Sequence, residues 1–313
     1  MTETIHSGTL LSLNLSAEKG ISKSPVDKIV INQHGMAEDA HAGQWHRQVS
    51  VMAWEDVEGF ASKFGRSFKP GEFAENLTTK GIDLAKVAPL DRFRCGEVEL
   101  EVTQIGKSCH GSECAIFQDV GACVMPKKGI FCRVINGGTL RTGDSIEHVV
   151  RPLRISVMTV SDRASIGIYK DQSGPLIREL IKEHFNSSRW ELDVTSVIFP
   201  DDRQIVRQGL IKALNRGTDI IFTTGGTGVG PRDITVDEVL DLTSRTVPGI
   251  MEFIRVKYGA NNPNALLSRG IVAVKDDTII YTLPGSPRAA KEYMTEILRT
   301  LEHLILMVHG LGH

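Results

Sequence analysis

Thr223 to Thr235 reads TTGGTGVGPRDIT and lies between an apolar run, Asp219 to Phe222, and a helix-compatible run, Val236 to Leu240. An apolar run, a glycine cluster and then a helix is the order of a phosphate-binding turn. Gly225, Gly226, Gly228 and Gly230 can take positive φ without a Cβ penalty and let backbone N–H groups approach an anion. A helix starting near Thr235 would add its positive end to the same place. A carboxylate such as Asp233 is repelled there unless a cation lies between it and the anion, which points to Mg²⁺ with a phosphorylated ligand. The spacing matches neither the Walker loop nor the dinucleotide fingerprint. The glycines alone fit a plain strand-to-helix turn equally well, and the Arg232 and Asp233 pair tips the reading towards a ligand site.

Working outward, the C-terminal half alternates strand and helix patterns. Arg154 to Val160 is a nearly continuous apolar strand, SDRASIGIYKDQSG a loop, and Pro175 to Phe185 an amphipathic helix. A strand over Trp190 to Phe199 ends in ProAspAsp, a helix covers Arg203 to Asn215, and Asp219 to Thr224 is the third strand. This order predicts an α/β unit with a doubly wound, mostly parallel sheet, whose ligand sits past the carboxyl ends of the strands. Three strand ends then converge, carrying Ser161 and Asp162, Asp201 and Asp202, and Thr223 to Asp233. Asp201 and Asp233 are the expected Mg²⁺ ligands, whereas Asp202, just before Arg203, fits a helix cap. A helix from Gly249 to Tyr258, the loop NNPNALLSRG, a hairpin around Asp276 and Asp277, and a helix from Pro287 to Met307 complete this half.

Before about residue 150 strands outnumber helices, which predicts a β-rich barrel. Gly8 to Leu15, Lys28 to Asn32, Gln48 to Met52, CGEVELEVTQIG and Ile130 to Ile135 read as strands, Trp54 to Phe64 as a helix, and Gly137 with Gly138 as a hairpin turn. His34, His41 and His46 fall in a Gly-rich loop without helical register, so surface or loop-closing histidines are expected there rather than a metal site. Arg47 is placed to meet an anionic ligand. In IGKSCHGSECAIF, Cys109 follows Lys107 and precedes His110, and both neighbours would favour a thiolate. That thiolate would ligate a soft metal or carry a persulfide; the other reading is a small buried hydrophobe.

At 313 residues the chain suits two domains, and a net charge of −2 gives no reason to expect nucleic acid or an anionic membrane as partner. There is neither a signal peptide pattern nor an uncharged run of about 18 apolar residues, so a cytoplasmic location is expected. The 5 cysteines, at 95, 109, 114, 123 and 132, lack paired CxxC spacing and read as free thiols, not structural zinc ligands. The run ValValArgProLeu is the expected boundary, a short stiff linker between domains 1–150 and 151–313.

The blocks DAHAG before HRQVS, then ENLTT, DRFRCGEVELEVTQIGKSCH, GIFCRV and GGTLRTGD, together resemble a MOSC domain over about residues 5 to 150. That resemblance implies a β-barrel that binds molybdenum cofactor or handles sulfur for it, with Cys109 as its functional cysteine. Glu38 stands where the family usually shows glycine.

SDRAS, YKD, PD, TTGGTG, PRDIT, VPGI, ALLSRG and LPGSP occur in one order from about residue 152 to 310 and resemble the MogA/MoaB family of molybdopterin adenylyltransferases. The resemblance implies transfer of AMP from Mg-ATP to the phosphate of molybdopterin, with release of pyrophosphate. It carries over Asp201 and Asp233 as the catalytic acidic pair. It also carries over Ser161, Asp162, Thr224, Gly225, Gly226, Thr227, Gly228, Arg232, Ser268, Pro284 and Gly285 as substrate-binding positions. It further implies a homo-oligomer, a trimer, with molybdopterin synthase, a molybdenum insertase and a cysteine desulfurase as candidate partners. Two other classes stay open: a molybdopterin-binding carrier, and a MOSC-type molybdenum oxidoreductase centred on Cys109.

Overall fold

The computed structural model of the chain describes residues 4–108, 117–118 and 122–311. Two compact units divide between Arg151 and Pro152.

The first unit is built on a closed barrel. Its ring runs β11 (Ser145–Val149), β7 (Arg92–Cys95), β8 (Val98–Ile105), β9 (Ile130–Asn136), β5 (Val49–Ala53), β6 (Leu77–Lys80) and β1 (Ile5–Leu15), and pairing of β1 with β11 closes it. β5 and β6 are parallel and the other ring pairs antiparallel. β2 (Ser24–Val26) extends β1 on the outside. Closure leaves no free edge in the ring and turns one side chain in two inward. Leu10, Leu13, Val49, Val51, Leu77, Val102, Ile130 and Cys132 are all fully buried there. Each large aliphatic so buried contributes about 1.5–3 kcal/mol relative to exposure.

Helix α1 (Trp54–Phe64) follows β5 directly and ends at Gly65, whose φ of 62° is the left-handed cap that glycine accepts most readily. Under it lies a second, aromatic cluster in which Phe60 meets Phe73 edge-on at 5.3 Å. The expected hairpin at Gly137 and Gly138 is not formed. β10 (Gly138–Arg141) pairs instead with β3 (Lys28–Asn32), which also pairs β4 (Gly35–Met36) in a separate small sheet. A diglycine permits a sharp reversal, but long-range pairing decided the register.

In the second unit the sheet order is β13 (Leu192–Phe199), β12 (Leu153–Val160), β14 (Ile220–Thr224), β17 (Thr278–Leu283), β16 (Val272–Lys275) and β15 (Arg245–Thr246). The first four are parallel and the last two join antiparallel. Helices cover both faces. Val206 and Leu210 of α5 (Arg203–Asn215) and Val239 of α6 (Thr235–Leu242) pack with Met158, Ile221 and Ile280. On the strands the residues of opposite parity include Phe222 and Tyr281, which stack at 5.1 Å. α4 (Ser173–Phe185) and α8 (Pro287–Val308) bury Ile177, Ile181, Ile297 and Leu301. The segment read as a loop after Val160 begins with a short helix, α3 (Asp162–Ser165), because the Ser161 hydroxyl accepts the Ala164 N–H as a cap. β13 is an outer strand, with Val197 37% and Ile198 42% exposed.

The chain leaves β12 for β13 on one side and returns to β14 on the other, so strand order switches between β12 and β14. In such sheets that switch opens a crevice at the carboxyl ends.

Candidate functional site

Register sets the level of that crevice. Thr159 is paired with Thr224 and Thr224 with Leu283, while Val160 lies beside Phe199. The next residues along the chain, Ser161, Pro200 with Asp201, Gly225 and Pro284, therefore emerge together. The Thr224 hydroxyl donates to the Pro284 carbonyl at 2.8 Å, and Gly225 N–H donates to Leu283 at 3.0 Å. Gly285 faces Gly225 so closely that a Cβ on it would lie 3.3 Å from the Gly225 Cα.

The glycine loop is tied to the start of helix α6. Gly226 has φ 65°, and a Cβ there would collide with the Thr235 hydroxyl. Thr235 N–H also donates to Gly226 at 3.2 Å. Gly228 has no room for a side chain because Asp233 Oδ2 would lie 2.6 Å from its Cβ. Asp233 Oδ2 accepts the Gly230 N–H at 2.9 Å, while Asp233 N–H donates to the Gly230 carbonyl at 3.0 Å. The expected aspartate is thus held by its own loop. From the far side, Arg269 N–H donates to the Thr227 carbonyl at 2.9 Å, which brings Ser268, the residue that follows the 3-10 turn Pro263–Leu267, next to the loop.

Asp201 and Asp162 clasp each other. Asp162 N–H donates to Asp201 Oδ2, and Asp201 N–H donates to Asp162 Oδ1, both at 2.9 Å. Burial, and then the charge of Asp233, push the Asp201 carboxyl above the ordinary carboxylate range. Asp201 and Asp233, from different strand ends, therefore feel each other. Arg232 is ion-paired with Asp162, with side chains 67% and 32% exposed. Asp202 caps α5, accepting the Ile205 N–H at 3.0 Å.

The start of α6 carries Asp237 and Glu238, which weaken its attraction for an anion. Both are paired: Asp237 with Arg269, and Glu238 with Arg203 at 2.9 Å and Arg207 at 3.2 Å. Two residues of this region were absent from the sequence-based site. Thr235 is fully buried with its hydroxyl unbonded beneath Gly226. Asp171, inside the YKD block, accepts from Thr159 Oγ1 at 2.6 Å and from Gly174 N–H at 3.1 Å, so it ties the loop after α3 to β12. Its position in a quoted motif was the available signal.

In the barrel, Cys109, Cys114 and His110 lie outside the described residues, so the thiolate reading stands only as an expectation. Around the DAHAG block, Asp39 and Lys23 form a fully buried ion pair, Lys23 Nζ to Oδ1 2.7 Å, with side chains 0% and 1% exposed. Burial alone would raise the Asp39 carboxyl, but hydrogen bonds from His41 and Lys23 and the Lys23 charge outweigh it and hold it below the usual range. Burial likewise lowers Lys23, against the pull of Asp39. His41 Nδ1 lies 3.3 Å from Lys23 Nζ. Arg47 stacks over Trp45 at 4.8 Å. Glu38 has φ 67°, the left-handed conformation that glycine takes without penalty.

The ENLTT block is a buried staple. Glu75 accepts from Gly71 N–H, Phe73 N–H and the Thr78 hydroxyl, and Asn76 Oδ1 accepts from the Ser50 N–H and hydroxyl. Cys95 and Cys132 are buried, and burial raises both thiols. Among the described residues no group of three or more His, Cys, Asp or Glu is arranged to hold a metal, and no helix is long and apolar enough to cross a membrane.

Comparison with known proteins divides at the same place. Residues 156–303 match the family model described as a probable molybdopterin binding domain, and residues 38–147 match the MOSC domain. The molybdopterin adenylyltransferase of Helicobacter pylori is 31% identical over 162 residues, covering 51% of this chain and 90% of that protein. Gephyrin of Dictyostelium discoideum is 36% identical over 162 residues, 50% of this chain, but the chain spans only 22% of its length. Among solved structures, the molybdopterin biosynthesis enzyme MoaB from Thermus thermophilus is 34% identical, covering 50% of this chain and 97% of that one at a TM-score of 0.45. The chain thus belongs to the molybdopterin-binding family of the bacterial molybdopterin adenylyltransferases through its second unit, and carries a MOSC domain in its first.

Proposed function

We propose that the second unit transfers AMP from ATP to molybdopterin, and that the first binds molybdenum cofactor or carries sulfur for it at Cys109. The observation that carries the first part is the emergence of Asp201 and the glycine loop with Asp233 from the parallel strands on either side of β12, with the Asp233 charge adding to burial in raising the Asp201 carboxyl. Repulsion between two carboxylates in a half-buried crevice favours a divalent cation, and their oxygens suit Mg²⁺. Asp201 and Asp233 would hold a Mg²⁺ that arrives with ATP, leaving water and phosphate oxygens to complete its ligands. Bound there, Mg²⁺ supplies charge neutralisation for the triphosphate.

The chain's own residues do the positioning. Thr224, Gly225, Gly226, Thr227 and Gly228 bind the acceptor phosphate, with Ser161, Ser268, Pro284 and Gly285 at the rim. A molybdopterin phosphate oxygen forms a bond to the α-phosphorus of ATP, the bond from that phosphorus to the β-phosphate bridge breaks, and pyrophosphate leaves. Both partners are anions, so alignment and neutralisation accelerate the step and no covalent nucleophile is required. Arg232 offsets charge on the leaving pyrophosphate.

Incubating the full chain with molybdopterin, Mg²⁺ and α-labelled ATP should place label on the pterin with one pyrophosphate released per transfer. Pterin binding without transfer would leave the carrier reading in its place. For the first unit, Cys109→Ser should abolish retention of molybdenum cofactor or persulfide while AMP transfer is unchanged. Retention by the serine variant removes Cys109 from the site. We place the protein in the cytoplasm, receiving substrate from molybdopterin synthase, passing product to a molybdenum insertase and drawing sulfur from a cysteine desulfurase. The exposed Val197 and Ile198 on β13 support a homo-oligomer.

A further inference from the structure

Arg232, the cation expected to meet phosphate, is engaged by a carboxylate of the protein itself. Asp162 pairs with it across the mouth of the crevice, from the end of β12 to the loop after β14. The two sides of that pair differ in freedom. Asp162 is held at both ends: its N–H donates to Asp201 Oδ2 and its Oδ1 accepts the Asp201 N–H, each at 2.9 Å. Arg232 is 67% exposed at its side chain, while the backbone around it is tied by the reciprocal Gly230 and Asp233 bonds. The guanidinium is the more exposed partner of the two. A guanidinium receives carboxylate and phosphate through the same planar fork, so the two ligands are mutually exclusive at one face of it.

We propose that Asp162 is an internal competitor for phosphate. It holds Arg232 until a nucleoside triphosphate or pyrophosphate takes the guanidinium over, and it reclaims the guanidinium as the anion departs. The competition lowers affinity for the charged leaving group and speeds its release. It rests on the reading of this crevice as a phosphate site.

The test is a double-mutant cycle on the full chain, with inorganic pyrophosphate as the titrant at fixed Mg²⁺ in a calorimeter. Asp162→Asn keeps an N–H and an Oδ1 for Asp201 but drops the charge, so pyrophosphate should bind about fivefold more tightly, the size of a partly exposed ion pair. In an Arg232→Gln background the same change should alter affinity by less than about twofold. Equal tightening in both backgrounds would mean simple repulsion and would overturn the proposal, as would no tightening, or no pyrophosphate binding by any variant.

Should Asp162→Asn fail to fold, the wild-type chain carries the test. The Arg232 side-chain Nε–H resonance, assigned by its loss in Arg232→Lys, should shift on adding pyrophosphate, and an unmoved resonance at saturation overturns the exchange. No molybdopterin is present in either measurement. A chain that fails to transfer AMP therefore sinks the activity reading alone, and unchanged pyrophosphate binding sinks this proposal alone.

Discussion

Lys23 with Asp39, and Asp201 with Asp233, are both pairs of ionisable side chains beside strand ends, yet they are held under opposite constraints. The first pair is sealed inside the barrel unit with opposite charges in contact and every Asp39 oxygen bonded. The second is half open, like-charged, and raises the proton affinity of Asp201. A satisfied buried pair is a structural device that is costly to break. A repelling, solvent-reachable pair lowers stability, a cost that a cation bound between the two carboxylates would offset. On the proposed function, the contrast is one between scaffold and site.

The largest break in that contrast should come from Asp233→Asn. It keeps an oxygen for the Gly230 N–H, so the fold persists, but AMP transfer should fall by about 10²–10³-fold at saturating Mg²⁺, the scale of losing one charge-stabilising group. Near-normal turnover in the purified variant would remove Asp233 from the metal. Next in size, Asp39→Asn strands a buried ammonium and should cost about 3 kcal/mol of stability in denaturant unfolding, with transfer per folded molecule unchanged. A loss under about 1 kcal/mol would show that water reaches the pair after all.

Smaller effects sharpen the comparison. Glu38→Gly relieves a left-handed residue next to Asp39 and should add about 0.5–1 kcal/mol, read as a higher midpoint; destabilisation would mean that the Glu38 side chain has a role of its own. Least of all, Asp201→Asn removes the repulsion and should raise Tm by about 1–2 °C at pH 7 once solvent screening is allowed for. The folded-state pKa of Asp201 lies above its ordinary value, so the wild type gains from protonation and loses that gain as pH rises through the raised pKa. The advantage of the variant should therefore vanish below about pH 4 and be complete near neutrality. An advantage independent of pH would exclude the charge as its cause.

Element identity was largely legible because periodicity survives in a single chain. α1 over Trp54–Phe64 and α5 over Arg203–Asn215 follow from apolar spacing, and TTGGTG between an apolar run and a helix marks its own turn. The partners of charged residues were not legible. Lys23 and Asp39 are 16 positions apart, on either side of β2, β3 and β4, and Asp162 meets Arg232 only because parallel pairing sets β12 beside β14. Gly137 and Gly138 mislead for the same reason, since the choice of β3 as partner for β10 lies more than a hundred residues away. The departure at Glu38 was visible as a letter, but its meaning needed the φ angle.

The junction between the units has a practical consequence for cutting the protein. Val150 N–H bonds to Thr4 and Arg151 N–H to Asp91, both in the first unit, while Leu153 N–H bonds to Glu191 and Arg154 N–H to Asp219 in the second. Pro152, which has no N–H to donate, is the one residue left between these anchored backbones. A protease needs several residues of extended, unbonded chain in its cleft, and this joint does not present them. Limited digestion should therefore spare residues 150–154, and separate halves are better obtained by dividing the gene between Arg151 and Pro152, where every one of these anchoring bonds stays with its own fragment.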